Sequence, residues 1–235
     1  MTMAYELIKL SNKIYALWFD HRYDLGMHFV RYQEYYESSN PKFKGQKFTL
    51  IDFMEYYSKE FKRTANCFTY TKDWSGFNIP ISVIKEVQAL GIDDLNKYDK
   101  TMNEVMTEIN CDGAYLLGSL TNDMGTMEHE IAHAIYYTNP EYKQEMLDLS
   151  NSLEEDNRQQ VFDFLDMHGY HSDVYYDEMQ AFLSTGSPIL LDYAKGVKIG
   201  ATFNKVFMKY AGELLSRTAE LASLSKKMYL VEEQN

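Results

Sequence analysis

Cysteine is nearly missing from this chain. Its two cysteines, Cys67 and Cys111, lie far apart and outside any C-x-x-C spacing. A disulfide framework and a thiolate zinc site are therefore both unsupported, and each residue reads as a reduced, small core side chain. Positive charge is also scarce. Against 35 acidic residues stand 23 Lys and Arg, a formal net charge of −12, which disfavours a general nucleic-acid binder and tolerates neutral or cationic peptides. Long apolar runs are lacking as well. Residues 1–19 are interrupted by Glu6, Lys9 and Lys13, which leaves no signal-peptide core, and no stretch reaches the length a membrane span needs. With neither internal repeats nor low-complexity linkers, the sequence predicts a soluble, cytoplasmic protein with no nucleic-acid or membrane partner. Its 45% hydrophobic content is enough for a substantial core. We expect one compact unit over 1–235, with an aromatic-rich, mainly helical lobe at 1–112 and a second lobe at 113–235.

The fold class expected is α+β, predominantly helical with a small sheet. In 5–19, Leu7, Leu10, Ile14, Leu17 and Trp18 recur at three- and four-residue spacing and predict a helix, and 23–37 predicts another. After a loop at Asn40-Pro41 and Gly45, Thr49 to Asp52 has the form of a capping box opening a helix. The tyrosine series of this region reads as core with hydroxyls at its edge rather than a stacking surface. Lys42, Lys44, Lys47, Lys59, Lys62 and Arg63 read as a solvated rim. Residues 68–71 predict a strand, 73–78 a loop holding Trp74, and 82–90 and 98–109 two helices. Farther on, 114–120 predicts a strand and 203–224 a long helix facing the core with Phe207, Tyr210, Leu214, Leu221 and Leu224. Between them Gly186-Ser187-Pro188 breaks the chain and 189–193 is apolar.

The chemistry is concentrated in Thr126-Met127-Glu128-His129-Glu130-Ile131-Ala132-His133. On a helix, residues four apart sit one turn above each other, so the imidazoles of His129 and His133 can converge on one ion. Glu130 points about 100° round from His129, beside the ion, where a general base is needed. The uncharged neighbours Ile131, Ala132, Ala134 and Ile135 allow this helix to be buried. The plain alternative is an amphipathic core helix whose histidines bond internally. Asn139-Pro140 ends the helix, and 157–167 predicts another that ends near Gly169. Residues 175–183 then form an apolar helical stretch with a carboxylate near its start. There Glu178 and Ala181 share a face, and the small residue permits close helix approach.

The extended H-E-x-x-H pattern with its uncharged flanks resembles the active-site helix of zincin metallopeptidases. The metzincin continuation is lacking, because Tyr136 and Asn139 stand where glycine and a third histidine would be. With a downstream glutamate the pattern instead resembles the gluzincin, thermolysin-like class. The resemblance covers about 114–184, while the tyrosine-rich front does not match the sheet-rich N-terminal lobe of thermolysin. It implies a zinc peptidase in which His129, His133 and Glu178 hold Zn2+ and Glu130 serves as base; His171, His168 and Asp177 stay open as alternatives to Glu178. It also implies that strand 114–120 is an exposed edge that pairs with a peptide substrate. A transition-state donor would come from Tyr170, His171, Tyr175 or Tyr176, and Asp123 or a later carboxylate would orient an imidazole. Two rivals belong to other classes: a zinc-holding module without turnover, and a metal-free helical interaction protein.

Overall fold

A computed structural model describes residues 5–61, 67–109, 111–186 and 197–232. It is an α+β, predominantly helical protein with a small four-stranded sheet. The chain divides into two compact units, Met1–Leu120 and Thr121–Asn235. The boundary thus falls after strand 114–120 rather than at 112/113, because that strand pairs inside the first unit.

The first unit carries the whole sheet. Strands β1 (Tyr5–Lys9) and β2 (Ile14–Phe19) form an antiparallel hairpin where one helix was expected. Ser11 makes the turn, its hydroxyl accepting from the Lys13 and Ile14 amides. The three- and four-residue spacing of apolar side chains misled here because β2 is buried along its whole length, so both strand faces are apolar and no alternation is visible. Tyr15, Trp18 and Phe19 also favour a strand.

Helix α1 (Arg22–Glu37) follows as predicted and lies on the sheet. Helix α2 (Leu50–Tyr56) starts at Thr49, whose side chain accepts from the Asp52 amide, and continues into a π-helical turn, Tyr57–Phe61. Where 68–71 predicted a strand there is a short helix, α3 (Tyr70–Asp73). Its Asp73 carboxylate accepts from the hydroxyls of Thr69 (2.7 Å) and Tyr57 (2.8 Å), which ties the turn closed. The expected loop after it contains strand β3 (Gly76–Pro80), followed by α4 (Ile81–Ala89) and α5 (Lys97–Glu108). The tyrosines are core as read: Tyr32, Tyr57 and Tyr70 are buried among Phe43, Phe53 and Phe77. Of the basic rim, Lys47 pairs with Asp93 and Lys59 with Glu55, whereas Lys62 and Arg63 lie outside the described residues.

Strand β4 (Tyr115–Leu120) is not an edge. The sheet order is β1-β2-β4-β3, with β4 parallel to β2 and antiparallel to β3. Both rows of its backbone groups are taken, so it cannot receive an added peptide strand. Gly118 within it lets α1 approach, since a Cβ there would strike the Phe29 ring.

The second unit is helical: α6 (Met124–Thr138), α7 (Pro140–Ser152), α8 (Glu155–Met167), a 3₁₀ turn (Ser172–Val174), α9 (Tyr175–Thr185) and α10 (Val197–Glu232). Asn139 both ends α6 and caps α7, accepting from the Glu141 and Tyr142 amides with Pro140 in the first turn. Two helices therefore fill the insert between α6 and α9, where the sequence predicted one. Gly186 ends α9 in the left-handed conformation; the apolar stretch 189–193 lies outside the described residues. On α10, Phe203, Phe207, Ala211 and Thr218 are buried, while Leu224, expected in the core, is half exposed. Among the described residues, no helix is long and apolar enough to cross a membrane.

Candidate metal centre

Helix α6 is started by Asp123, whose carboxylate accepts from the Thr126 amide (3.0 Å) and the Thr126 hydroxyl (2.7 Å). That interaction occupies the acid considered above as a partner for an imidazole. One and two turns into the helix, His129 and His133 face each other edge-on, ring centroids 4.8 Å apart. Helix α9 packs against α6 with Ala132, Ala134 and Ala181 fully buried, and small side chains on both helices permit that close approach. It brings Glu178 to the histidines. His129 Nε2 and His133 Nε2 are 3.2 Å apart, and Glu178 Oε2 is 3.7 Å from each. Among the described residues this trio is the one group of histidines and acids able to share an ion.

The donor set fits a tetrahedral cation. Ligand atoms bonded at about 2.1 Å to such an ion stand about 3.4 Å from one another, close to the three separations observed. Glu178 Oε2 is buried with no hydrogen-bond partner. Leaving a buried acceptor unpaired costs about 1–3 kcal/mol or more for a charged group, and a cation at this point would remove that cost. Two nitrogens and one carboxylate oxygen are a zinc-type set that leaves a fourth position open.

Consecutive residues of α9 grip His133 from both sides. Asp177 Oδ1 accepts from His133 Nδ1 at 2.8 Å, while Glu178 addresses Nε2. A proton is thereby held on Nδ1 and Nε2 is turned toward the other two ligand atoms, where a bound cation would displace its proton. Burial disfavours charging this ring, but the carboxylates of Asp177, Glu178 and Glu130 outweigh it and hold the His133 pKa well above the usual range. Three acids thus surround two imidazoles, a field suited to a divalent ion. Glu130 itself is buried on α6, near enough for its charge to act on His133.

The other residues considered from sequence are engaged elsewhere. His168 Nδ1 bonds the Phe164 carbonyl, His171 pairs with Asp173, and Asp177 approaches the far nitrogen of His133. Of the four suggested transition-state donors, the Tyr175 hydroxyl donates to Asp166 and that of Tyr176 to Asn151. Tyr170 differs. Its ring meets Phe182 at 6.2 Å, and Phe182 in turn packs on His129 at 4.6 Å.

Sequence reasoning missed two residues behind Asp177. Gln180 donates to Asp177 Oδ1 at 3.0 Å and accepts from the Tyr142 hydroxyl at 2.7 Å. The i, i+3 spacing of Asp177 and Gln180 was a usable signal; nothing local points to Tyr142, which arrives from α7. The chain as a whole matches no protein-family model, no curated protein and no solved structure.

Proposed function

We propose that this protein is a zinc-dependent metallopeptidase of the zincin type, with His129, His133 and Glu178 as ligands and Glu130 as general base. The observation that carries the reading is the meeting of two imidazole Nε2 atoms with the unpartnered, buried Oε2 of Glu178. A bound zinc ion supplies Lewis acidity, which makes water a nucleophile near neutral pH and polarises a carbonyl. Glu130 accepts the proton of the attacking water and delivers it to the leaving amine. Asp177 holds the His133 ring in the ligating tautomer, and Tyr170, whose ring packs on the Phe182 that lies against His129, is the candidate donor to the developing oxyanion. Phe182 covers one face of His129 and limits its hydration.

Peptide is not bound by strand addition at β4, which is already paired on both sides. Residues 121–235 hold 19 of the 35 acids but 9 of the 23 bases. Substrates of positive charge are therefore favoured, with rates that fall as salt screens the attraction.

The test is elemental analysis of protein purified without chelator, followed by comparison with Glu130→Gln. The expected result is near-stoichiometric zinc in both proteins and cleavage reduced by about 10²- to 10⁴-fold in the variant. Zinc without cleavage in the parent would instead indicate a binding module. A metal-free, inactive parent would leave the helical interaction protein.

A further inference from the structure

Asp177 is partly exposed, its side chain at 27%, so water competes for the oxygen that orients His133. What holds it inward is buried. Gln180 and Tyr142 are each wholly inaccessible, and the hydrogen bonds converge on Asp177: Tyr142 O–H to Gln180 Oε1 and Gln180 N–H to Asp177 Oδ1 from one side, His133 Nδ1–H to the same Oδ1 from the other.

Each proton in this line is placed by its neighbour. Asp177 Oδ1 accepts from the Gln180 NH2 group, which fixes the orientation of that amide. The Gln180 oxygen then faces Tyr142, which must donate. Burial raises the Tyr142 pKa and keeps that proton in place. The line ends in packing, with the Tyr142 ring against Phe207 at 6.5 Å and Tyr210 at 5.4 Å on α10. Helices α6, α9, α7 and α10 therefore meet along one polar thread.

We propose that Tyr142 and Gln180 are positioning residues of the metal centre, acting in series through Asp177 to fix the tautomer and ring angle of His133 and so to set zinc affinity. The inference rests on the zinc reading above and deepens it. Neither residue touches the ion or substrate. A core role alone would call for shape and apolar area, which phenylalanine at 142 and methionine at 180 would supply.

The experiment is a competition titration of zinc against a chromophoric chelator, using the whole metal-stripped chain as parent, Tyr142→Phe, Gln180→Met and the double variant. Melting of the metal-free forms and the Co2+ absorption spectrum are recorded alongside. We expect Gln180→Met to weaken zinc binding about 10-fold and Tyr142→Phe about 3- to 10-fold, as removal of partners behind metal ligands does. The double variant should bind no more weakly than Gln180→Met alone, because the contacts lie in series. The Co2+ bands should shift in each. Variants that bind zinc as tightly as a zinc-binding parent overturn the positioning role and leave the zinc reading standing, and so do losses that simply follow a fall in metal-free melting temperature. If Gln180→Met does not fold, Tyr142→Phe decides alone by the same criteria. A parent that takes up no zinc overturns both readings together.

Discussion

Each unit of the protein buries a cluster of charged groups, and the two clusters are finished differently. In the first unit, Arg31 on α1 is buried against Asp99 on α5, with Nε to Oδ1 at 3.0 Å and a second nitrogen to Oδ2 at 3.1 Å. Its third nitrogen donates to the Phe48 carbonyl, the nitrogen on Asp99 Oδ2 also lies 3.3 Å from Asp94 Oδ1, and Asp99 also accepts from the Asn96 amide. That cluster contains its own cation and satisfies it. In the second unit Glu130, Asp177 and Glu178 surround two imidazoles, and one buried carboxylate oxygen is left without a hydrogen bond. The closed cluster is a structural clamp, whereas the open one has the geometry to take a cation from outside. Buried charge alone is thus not a mark of function; the Glu178 acceptor differs because two imidazole nitrogens converge on it.

The comparison can be broken most forcefully at its two centres. Arg31→Met leaves Asp99 buried without its partner and should cost about 3–5 kcal/mol of stability, read as a lowered denaturation midpoint, with zinc affinity unchanged. Glu178→Gln should do the reverse. The metal-free variant should unfold within about 1 kcal/mol of the parent, since the atom replaced made no hydrogen bond, yet zinc should no longer raise its melting temperature. For the parent that rise corresponds to about 2.7 kcal/mol at zinc one hundredfold above Kd. If Glu178→Gln keeps the zinc-induced shift, or Arg31→Met abolishes it, the distinction between clamp and centre is lost.

A smaller effect is expected at Tyr170. Tyr170→Phe should lower kcat by about 10²- to 10³-fold, as loss of an oxyanion donor does, with zinc content and KM little altered. An unchanged kcat would take Tyr170 out of the assigned chemistry and leave its ring as packing against Phe182.

The contrast between the units also governs how much of each was legible in the sequence. The meeting of His129, His133 and Glu178 was readable because its information is local: the histidines are one turn apart, and Glu178 opens the next strongly apolar helix with Ala181 on the same face. The thread behind Asp177 depends on Tyr142 arriving from α7, a meeting that no spacing encodes. In the first unit the same locality failed. Leu7, Leu10, Ile14 and Leu17 have helical spacing but lie in two strands and the turn between them, because β2 is completed by β4 about a hundred residues later, and such pairing overrides local periodicity. Strand β3 was hidden by its own ends, since Gly76 and Pro80 are turn residues in isolation and are tolerated here on a sheet edge. β4 was found, but its neighbours were not, so its place inside the sheet could not be read.

The smallest effect sharpens the comparison within the first unit, at a carboxyl held by hydroxyls. Burial raises the Glu34 pKa to about 7, only partly opposed by hydrogen bonds from Ser38 and Tyr70. Because the folded value lies above the unfolded one, the protonated form is favoured by folding. This contribution is complete below about pH 4.5, declines as pH rises toward 7, and is gone above it. The full swing is at most about 3 kcal/mol. Glu34→Gln should flatten this part of the stability profile and make the variant the more stable protein at pH 8, while leaving the two matched near pH 4. Urea midpoints measured across pH 4 to 8 provide the check. A parent whose stability rises over that interval in step with the variant would mean that Glu34 is ionised and matched within its pocket, as Asp99 is by Arg31.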